Sequence, residues 1–208
     1  SIHGAMQSEI NLEGKDLKYN GSSTRLLPGA APGSIPWDAF EVDIVIDSTG
    51  AYRKREELQM HIDSGAKRVL VSKPPVNDID RIVIQGINED RIDNSDKIIS
   101  TTSSTTQVLA LMMKVLDESF EVNRAMMTTV HAYTSDQPLA DAVRSDLRRS
   151  RSAVENIIPN ETWAPDYVSQ LMPKFKDKIS GIAMNVPVAN GSCVDLTTEM
   201  KRMPSVDE

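Results

Sequence analysis

The chain has 208 residues, 39% of them hydrophobic and 25% charged, a composition with room for one large globular domain or two small ones. A formal net charge of −7 argues against a nucleic-acid binder and against attachment to an anionic membrane surface. No apolar run approaches the length of a membrane span, and the single cysteine, Cys193, leaves no pair for an internal disulfide or a cysteine-based zinc site. The expectation is a cytoplasmic protein without a metal centre.

Ala5 to Leu27 reads as a small antiparallel excursion, with turns at Glu13-Gly14-Lys15 and Asn20-Gly21. Pro28-Gly29 and Pro32-Gly33 mark a loop, and Ser34 to Asp38 opens a short helical turn. Val42 to Asp47 reads as a buried strand ending at Ser48-Thr49-Gly50. An amphipathic helix over Lys54–Ser64 follows, with Gly65 as its stop. Lys67–Ser72 is the next strand. Strand, helix and strand at this spacing predict a parallel βαβ unit. Arg81–Gly86 and Lys97–Ser100 are further short strands. After a helix over Thr105–Asp117, the runs Val122–Val130, Lys178–Val188 and Gly191–Met200 read as long strands of a mostly antiparallel sheet. Between them, Thr134–Pro159 is charged and irregular, and Asn160–Pro173 is expected to be helical, broken at Pro165.

Chemistry concentrates at Ser103-Ser104-Thr105-Thr106. These hydroxyls follow the strand Lys97–Ser100 and open the next helix, where free backbone N–H groups gather and an anion is welcome. His131 closes the run that begins at Arg124. A nucleophile at a helix N-terminus with a strand-borne histidine nearby is the layout of a covalent catalyst, and here the nucleophile is a serine. Helix capping is the competing reading of Ser103, Ser104 and Thr105. The Ser48-Thr49-Gly50 turn lies at the carboxyl end of a strand, where open α/β sheets bind ligands.

The segments SIHG, DIVIDSTGAY, GAKRVLVS, GINEDRID, KIISTTSSTTQ, MTTVHAYTSDQ, DLRRSRSAVENIIP and NVPVANGSCVDLT occur in this order. Together they resemble the successive signatures of phosphorylating glyceraldehyde-3-phosphate dehydrogenases, from Ser1 to about Leu196. The resemblance implies an α/β plus α+β fold. A truncated Rossmann-like NAD(P)-binding domain would occupy residues 1–103, and part of a mixed-sheet catalytic domain residues 104–208. Family members open with a strand, a Gly-rich turn, a helix and a strand that cradle the dinucleotide pyrophosphate. Ser1 to Gly4 matches the segment just after that unit, and Glu208 falls partway through the catalytic domain. The expectation is a chain incomplete at both ends.

In the family a cysteine thiolate attacks a phosphorylated aldehyde, hydride passes to the nicotinamide, and inorganic phosphate releases the acyl group. By resemblance the nucleophile position is Ser104 and its partner His131. Thr134, Asp136 and Asn185 match one anion site; Ser103, Thr105, Arg149, Thr162 and Trp163 match the other. Ser48, Thr49, Gly50 and Ser72 match the cofactor side, for NAD or NADP. The resemblance also implies a homotetramer, with the Thr134–Pro159 loop lining a neighbouring subunit's cofactor site.

Three departures fall on the implied site. Ser104 stands where the family has Cys, Asn185 where it has Arg, and Trp163 where it has Gly. A hydroxyl has a pKa many units above a thiol's ~8.5. An amide lacks the charge and the fork of a guanidinium, and an indole is expected to obstruct phosphate at a turn built for glycine. Lys73 replaces a usual Ala and could meet a cofactor phosphate or point to water. Ala142-Val143 matches neither the Leu-Pro of strict NAD members nor the Ala-Ser of dual-specificity members. Arg149 reads as an anion ligand or, equally, with Arg148 and Arg151 as part of a solvated or intersubunit salt-bridge cluster. Cys193 is expected to be a small buried hydrophobe. His61 is expected to be solvated, and His3 carries no assigned role. The resulting expectation is a family member with impaired phosphorylating oxidation. The alternatives are a redirected Ser104–His131 enzyme, such as a weak esterase, and a non-catalytic nucleotide-binding or assembly protein.

Overall fold

The computed structural model describes residues 4–5, 8–29 and 31–207, and His3 lies outside them. The chain divides into two compact units. One comprises the residues up to Arg81 together with Asp93–Ser100; the other comprises Ile82–Ile92 and the chain from Thr101 onward.

The first unit opens with an antiparallel meander of β1 (Ile10–Glu13), β2 (Asp16–Tyr19) and β3 (Ser22–Arg25). Beyond a single turn of 3-10 helix at Asp38–Phe40 comes β4 (Ile44–Asp47), then α1 (Arg55–Asp63) and β5 (Arg68–Val71). The strands β6 (Arg81–Ile82) and β7 (Ile98–Ser100) complete a sheet of order β4-β5-β7-β6. The β4–β5 and β5–β7 pairings are parallel. The Glu57 carboxylate starts α1 by accepting the Arg53 and Lys54 N–H groups at 3.0 and 2.9 Å. Gly65 ends it in the left-handed region at φ 102°, where a Cβ would lie 2.7 Å from the Asp38 nitrogen. The core is Leu58 packed on Val69, Val71 and Ile98.

Two expectations change here. β4 is an edge strand rather than a buried one: Val45 and Asp47 face inward, while Ile44 and Ile46 are exposed. His61 is buried at 6% exposure, because its place on α1 turns it to the same side as Leu58.

Asp80 ties the unit together. It accepts the Lys97 and Ile98 amides at 2.8 Å each and pairs with Arg55 at 2.5 Å. Burial alone would raise this carboxyl, but the amides and the guanidinium hold it below its ordinary 3.8. A lowered folded-state value means the stabilisation is complete above pH ~4 and fades as pH falls through that value. Asp80→Asn is therefore expected to cost about 1–3 kcal/mol at pH 7, with the gap closing in strong acid. Urea unfolding at pH 7 and pH 3 checks this, and a gap equal at both would contradict it.

In the second unit, α2 (Ser104–Phe120) leads into β8 (Val122–Ala132). A long loop reaches β9 (Ile158–Asn160), α3 (Ala164–Leu171), β10 (Ile179–Val186) and β11 (Ser192–Met200). The sheet order is β11-β8-β10-β9. Its β11–β8 and β10–β9 pairings are antiparallel, while the β10–β8 pairing is parallel, with the loop and α3 forming the crossover. Pro165 does not break α3. It occupies the first turn, where its missing N–H costs nothing.

The predicted strand at Arg81–Gly86 is only two residues long. Asn88 Oδ1 takes the Ile84 amide at 2.9 Å, and the Ile84 carbonyl accepts from Ile87, so the chain turns there. The side chain of Ile84 joins Leu109, Met113, Val122, Met127, Val168 and Phe175 in the second core. That packing places Ile82–Ile92 with the second unit. Phe175 is fully buried, and Phe175→Ala is expected to cost about 3–5 kcal/mol by urea unfolding. A loss under ~1 kcal/mol would show that the site collapses freely.

Candidate active site

The mouth of α2 is built from four hydroxyl residues with divided roles. Ser103 is the cap: its Oγ accepts the Thr106 amide at 3.1 Å and lies 2.8 Å from Thr106 Oγ1. The capping reading therefore holds for Ser103. Ser104 and Thr105 occupy the first turn, Ser104 exposed and Thr105 half-buried. Just before the cap, Thr102 is buried at φ 61°, an uncommon conformation for a β-branched residue.

His131 sits one residue before the end of β8. Its Nδ1 lies 2.9 Å from the Ala132 carbonyl oxygen. A carbonyl only accepts, so Nδ1 donates to it, and in the neutral form of the ring Nε2 carries the lone pair. The group that orients His131 is thus a backbone carbonyl. Strand register places Asn185 of β10 beside His131 on one side and Ser192 of β11 beside it on the other. These three side chains form a row on one sheet face.

Ser104, Thr105, Val108, Thr129, His131, Ser192, Cys193 and Val194 line one cavity of about 200 Å³. The structure thus brings the predicted nucleophile and its histidine together. Cys193 is exposed rather than buried. It pairs with Val130, so the strand alternation turns its side chain to the face opposite His131. Trp163 does not line this cavity. It is 63% exposed and precedes α3 at φ −90°, a conformation that any residue adopts, so the backbone itself makes no demand for glycine.

The loop after β8 gathers a second set of predicted residues. Thr134 Oγ1 donates to Asp136 Oδ1, Arg149 pairs with Asp136 Oδ2, and Arg144 donates to the Asp136 carbonyl. Burial would raise the Asp136 carboxyl, but Thr134 and Arg149 hold it below its ordinary value. Arg149 and Asp136, assigned by resemblance to different anion sites, are therefore partners here. Arg151 pairs with Asp141 of the same chain at 2.9 Å. Thr162 accepts the Ala164 amide at 3.3 Å, at the start of α3.

One residue of this loop escaped the sequence reading. Gln137 is buried; its Oε1 accepts the Thr134 backbone N–H at 2.9 Å, and its own backbone N–H donates to the Thr134 carbonyl at 3.0 Å. Its Nε2 is buried without a partner. Nothing in the sequence but its place in the HAYTSDQ motif could have marked it.

In the first unit, Thr49 donates its amide and hydroxyl to Asp47 Oδ1, at 2.9 and 2.7 Å. Gly50 follows at φ 71°, and the Lys73 side chain lies 3.5 Å from where its Cβ would stand. Ser48, Thr49, Ser72 and Lys73 are exposed at the carboxyl ends of β4 and β5. Three hydroxyls and a cation suit an anionic, hydroxyl-rich ligand such as a dinucleotide. Among the described residues, no group of three or more His, Cys, Asp or Glu is placed to hold a metal, and no helix is long and apolar enough to cross a membrane.

Residues 103–208 match the family model of the glyceraldehyde 3-phosphate dehydrogenase C-terminal domain, and residues 1–55 match that of the NAD binding domain. The chain belongs to the glyceraldehyde-3-phosphate dehydrogenase family. It is 41% identical to glyceraldehyde-3-phosphate dehydrogenase from Geobacillus stearothermophilus and 42% identical to that from Streptomyces coelicolor, each over 209 residues. It is 40% identical to glyceraldehyde-3-phosphate dehydrogenase 1 of Bacillus subtilis. Each comparison covers 100% of this chain and 62% of the relative, so the chain spans less than two thirds of their length. The two-part α/β and mixed-sheet architecture agrees with this membership.

Proposed function

We propose that this chain carries the cofactor-facing and catalytic segments of an NAD(P)-linked aldehyde dehydrogenase scaffold, in which phosphorylating oxidation is crippled. Residues 1–103 serve the nucleotide and residues 104–208 the aldehyde and inorganic phosphate. The single observation that carries the reading is Ser104, a hydroxyl in the helix-mouth cavity that it shares with His131. When bound, NAD or NADP would accept the hydride; Ser48, Thr49, Gly50 and Ser72 would hold it. Ser103, Thr105, Thr134, Asp136, Arg149, Thr162 and Asn185 would face the phosphates. The partner is a second copy of the chain, in a cytoplasmic homotetramer.

The test is reduction of NAD and of NADP with glyceraldehyde 3-phosphate and phosphate. We expect nucleotide binding with no iodoacetate-sensitive turnover. A thiol-dependent rate of about 1 per second or more would overturn the reading.

The Nδ1 contact of His131 favours a second reading, a weak esterase. Nε2 would take the Ser104 proton as Oγ attacks an ester carbonyl. The alcohol would leave with that proton, and water would then release the acyl group. Labelling of Ser104 by an acylating probe, lost in His131→Asn, is the result expected on this reading; unlabelled Ser104 excludes it.

A further inference from the structure

A line of polar contacts, buried at His61 and Asp47, leads to the Ser48-Thr49-Gly50 turn. The indole N–H of Trp37 donates to His61 Nδ1 at 3.1 Å. On the ring's other side, His61 Nε2 lies 3.6 Å from Asp47 Oδ2. Asp47 is as buried as His61, at 4% exposure. Its second oxygen, Oδ1, holds the amide and hydroxyl of Thr49. Asp47 Oδ2 and His61 Nε2 are both buried without a hydrogen bond to any other group, so each has only the other to face.

The donor inventory fixes the proton. An indole N–H can only donate, so His61 Nδ1 must accept, and the neutral ring carries its hydrogen on Nε2, toward Asp47. At 3.6 Å that N–H is held by the carboxylate's field rather than by a tight bond. A second proton on Nδ1 would set N–H against N–H. Burial pushes His61 below its ordinary value and outweighs the upward pull of Asp47, the charged group that bears on it from β4. Trp37, from the turn before β4, adds no charge.

We propose that Trp37, His61 and Asp47 form a relay that holds the Ser48-Thr49-Gly50 turn in its ligand-facing shape, with His61 as the positioning residue. Asp47 has two oxygens and two tasks. Without a donor at His61, Oδ2 is a buried carboxylate oxygen facing nothing, and the side chain is drawn away from Thr49. The functional meaning rests on the cofactor reading of this turn, but the relay itself is testable with no cofactor present.

The experiment is nitrogen-15 NMR of the chain with labelled histidine, together with hydrogen exchange at the Thr49 amide. In the unaltered chain, His61 is expected as the Nε2–H tautomer, with its midpoint below the ordinary 6.5. Trp37→Phe removes the opposing donor and should raise the His61 midpoint by about half a unit or more. His61→Gln keeps an acceptor for Trp37 and a donor for Asp47, so Thr49 exchange should stay near its original rate. His61→Phe keeps a ring but neither group, and exchange should quicken about 2- to 10-fold. A purely space-filling role predicts the reverse order. The Nδ1–H tautomer in the unaltered chain, or equal Thr49 exchange in the two His61 variants, overturns the relay. If either variant fails to fold, the tautomer of the unaltered chain decides. Loss of NAD binding with these results intact would count against the cofactor reading alone.

Discussion

Ser104→Cys alone is expected to restore a reactive thiol but little phosphorylating turnover. The substituted thiol would sit in the first turn of α2, in the cavity that His131 also lines, so nucleophilicity should return. The phosphates would still lack their partners. Asn185 lies beside His131 in strand register, so a guanidinium there would place a charged fork next to the reacting centre. Trp163 is the exposed residue that caps α3, next to Thr162. Adding Asn185→Arg to Ser104→Cys should raise kcat/KM by about 10- to 100-fold, the scale of one charge-assisted contact, and Trp163→Gly should add a further, sterically based gain. The gain from Asn185→Arg should appear as a response to substrate phosphate. That from Trp163→Gly should appear as a lower KM for inorganic phosphate. If the single change equals the triple, the two anion positions are wrongly placed. A Cys193→Ser control removes the remaining thiol, and it should change nothing, because that side chain lies on the other face of the sheet.

Much of this architecture is legible in the residues, because local rules set it. The Ser103 cap, the stop at Gly65 and the turns at Gly14 and Gly21 each follow from a side chain or a φ that the sequence names. Features that depend on distant partners are not legible. That His61 meets Trp37 and Asp47 is one such feature, because neither partner lies on α1. Cys193 looks like core by composition, yet its direction depends on which β8 residue it pairs with. The parallel β8–β10 pairing needs a long crossover, and a charged irregular loop hides one. Pro165 reads as a breaker until the start of α3 is known. The pairing of Arg149 with Asp136 likewise needs the loop's path, since 13 positions separate them.

In the Ser104→Cys background, His131→Asn is expected to slow iodoacetate alkylation at pH 7 by about tenfold or more. Alkylation follows the thiolate, and a cysteine at a helix N-terminus beside a histidine has a pKa below the usual ~8.5. Two sources of stabilisation act at this position. The first-turn N–H groups of α2 remain in both variants, whereas the imidazole is present only with His131. Losing one unit of pKa depression costs about tenfold in thiolate once pH lies below both values. The rate should therefore be read from pH 5 to 9. With His131 the profile should rise early; with Asn it should rise later and converge with the first above pH ~9. The Ala132 carbonyl adds a further check, because it fixes the Nδ1–H tautomer and leaves Nε2 for the thiol. His131→Gln, whose amide cannot take a proton, should behave like Asn. Superimposed profiles would mean that the helix alone tunes this position and that His131 shares the cavity without touching the nucleophile.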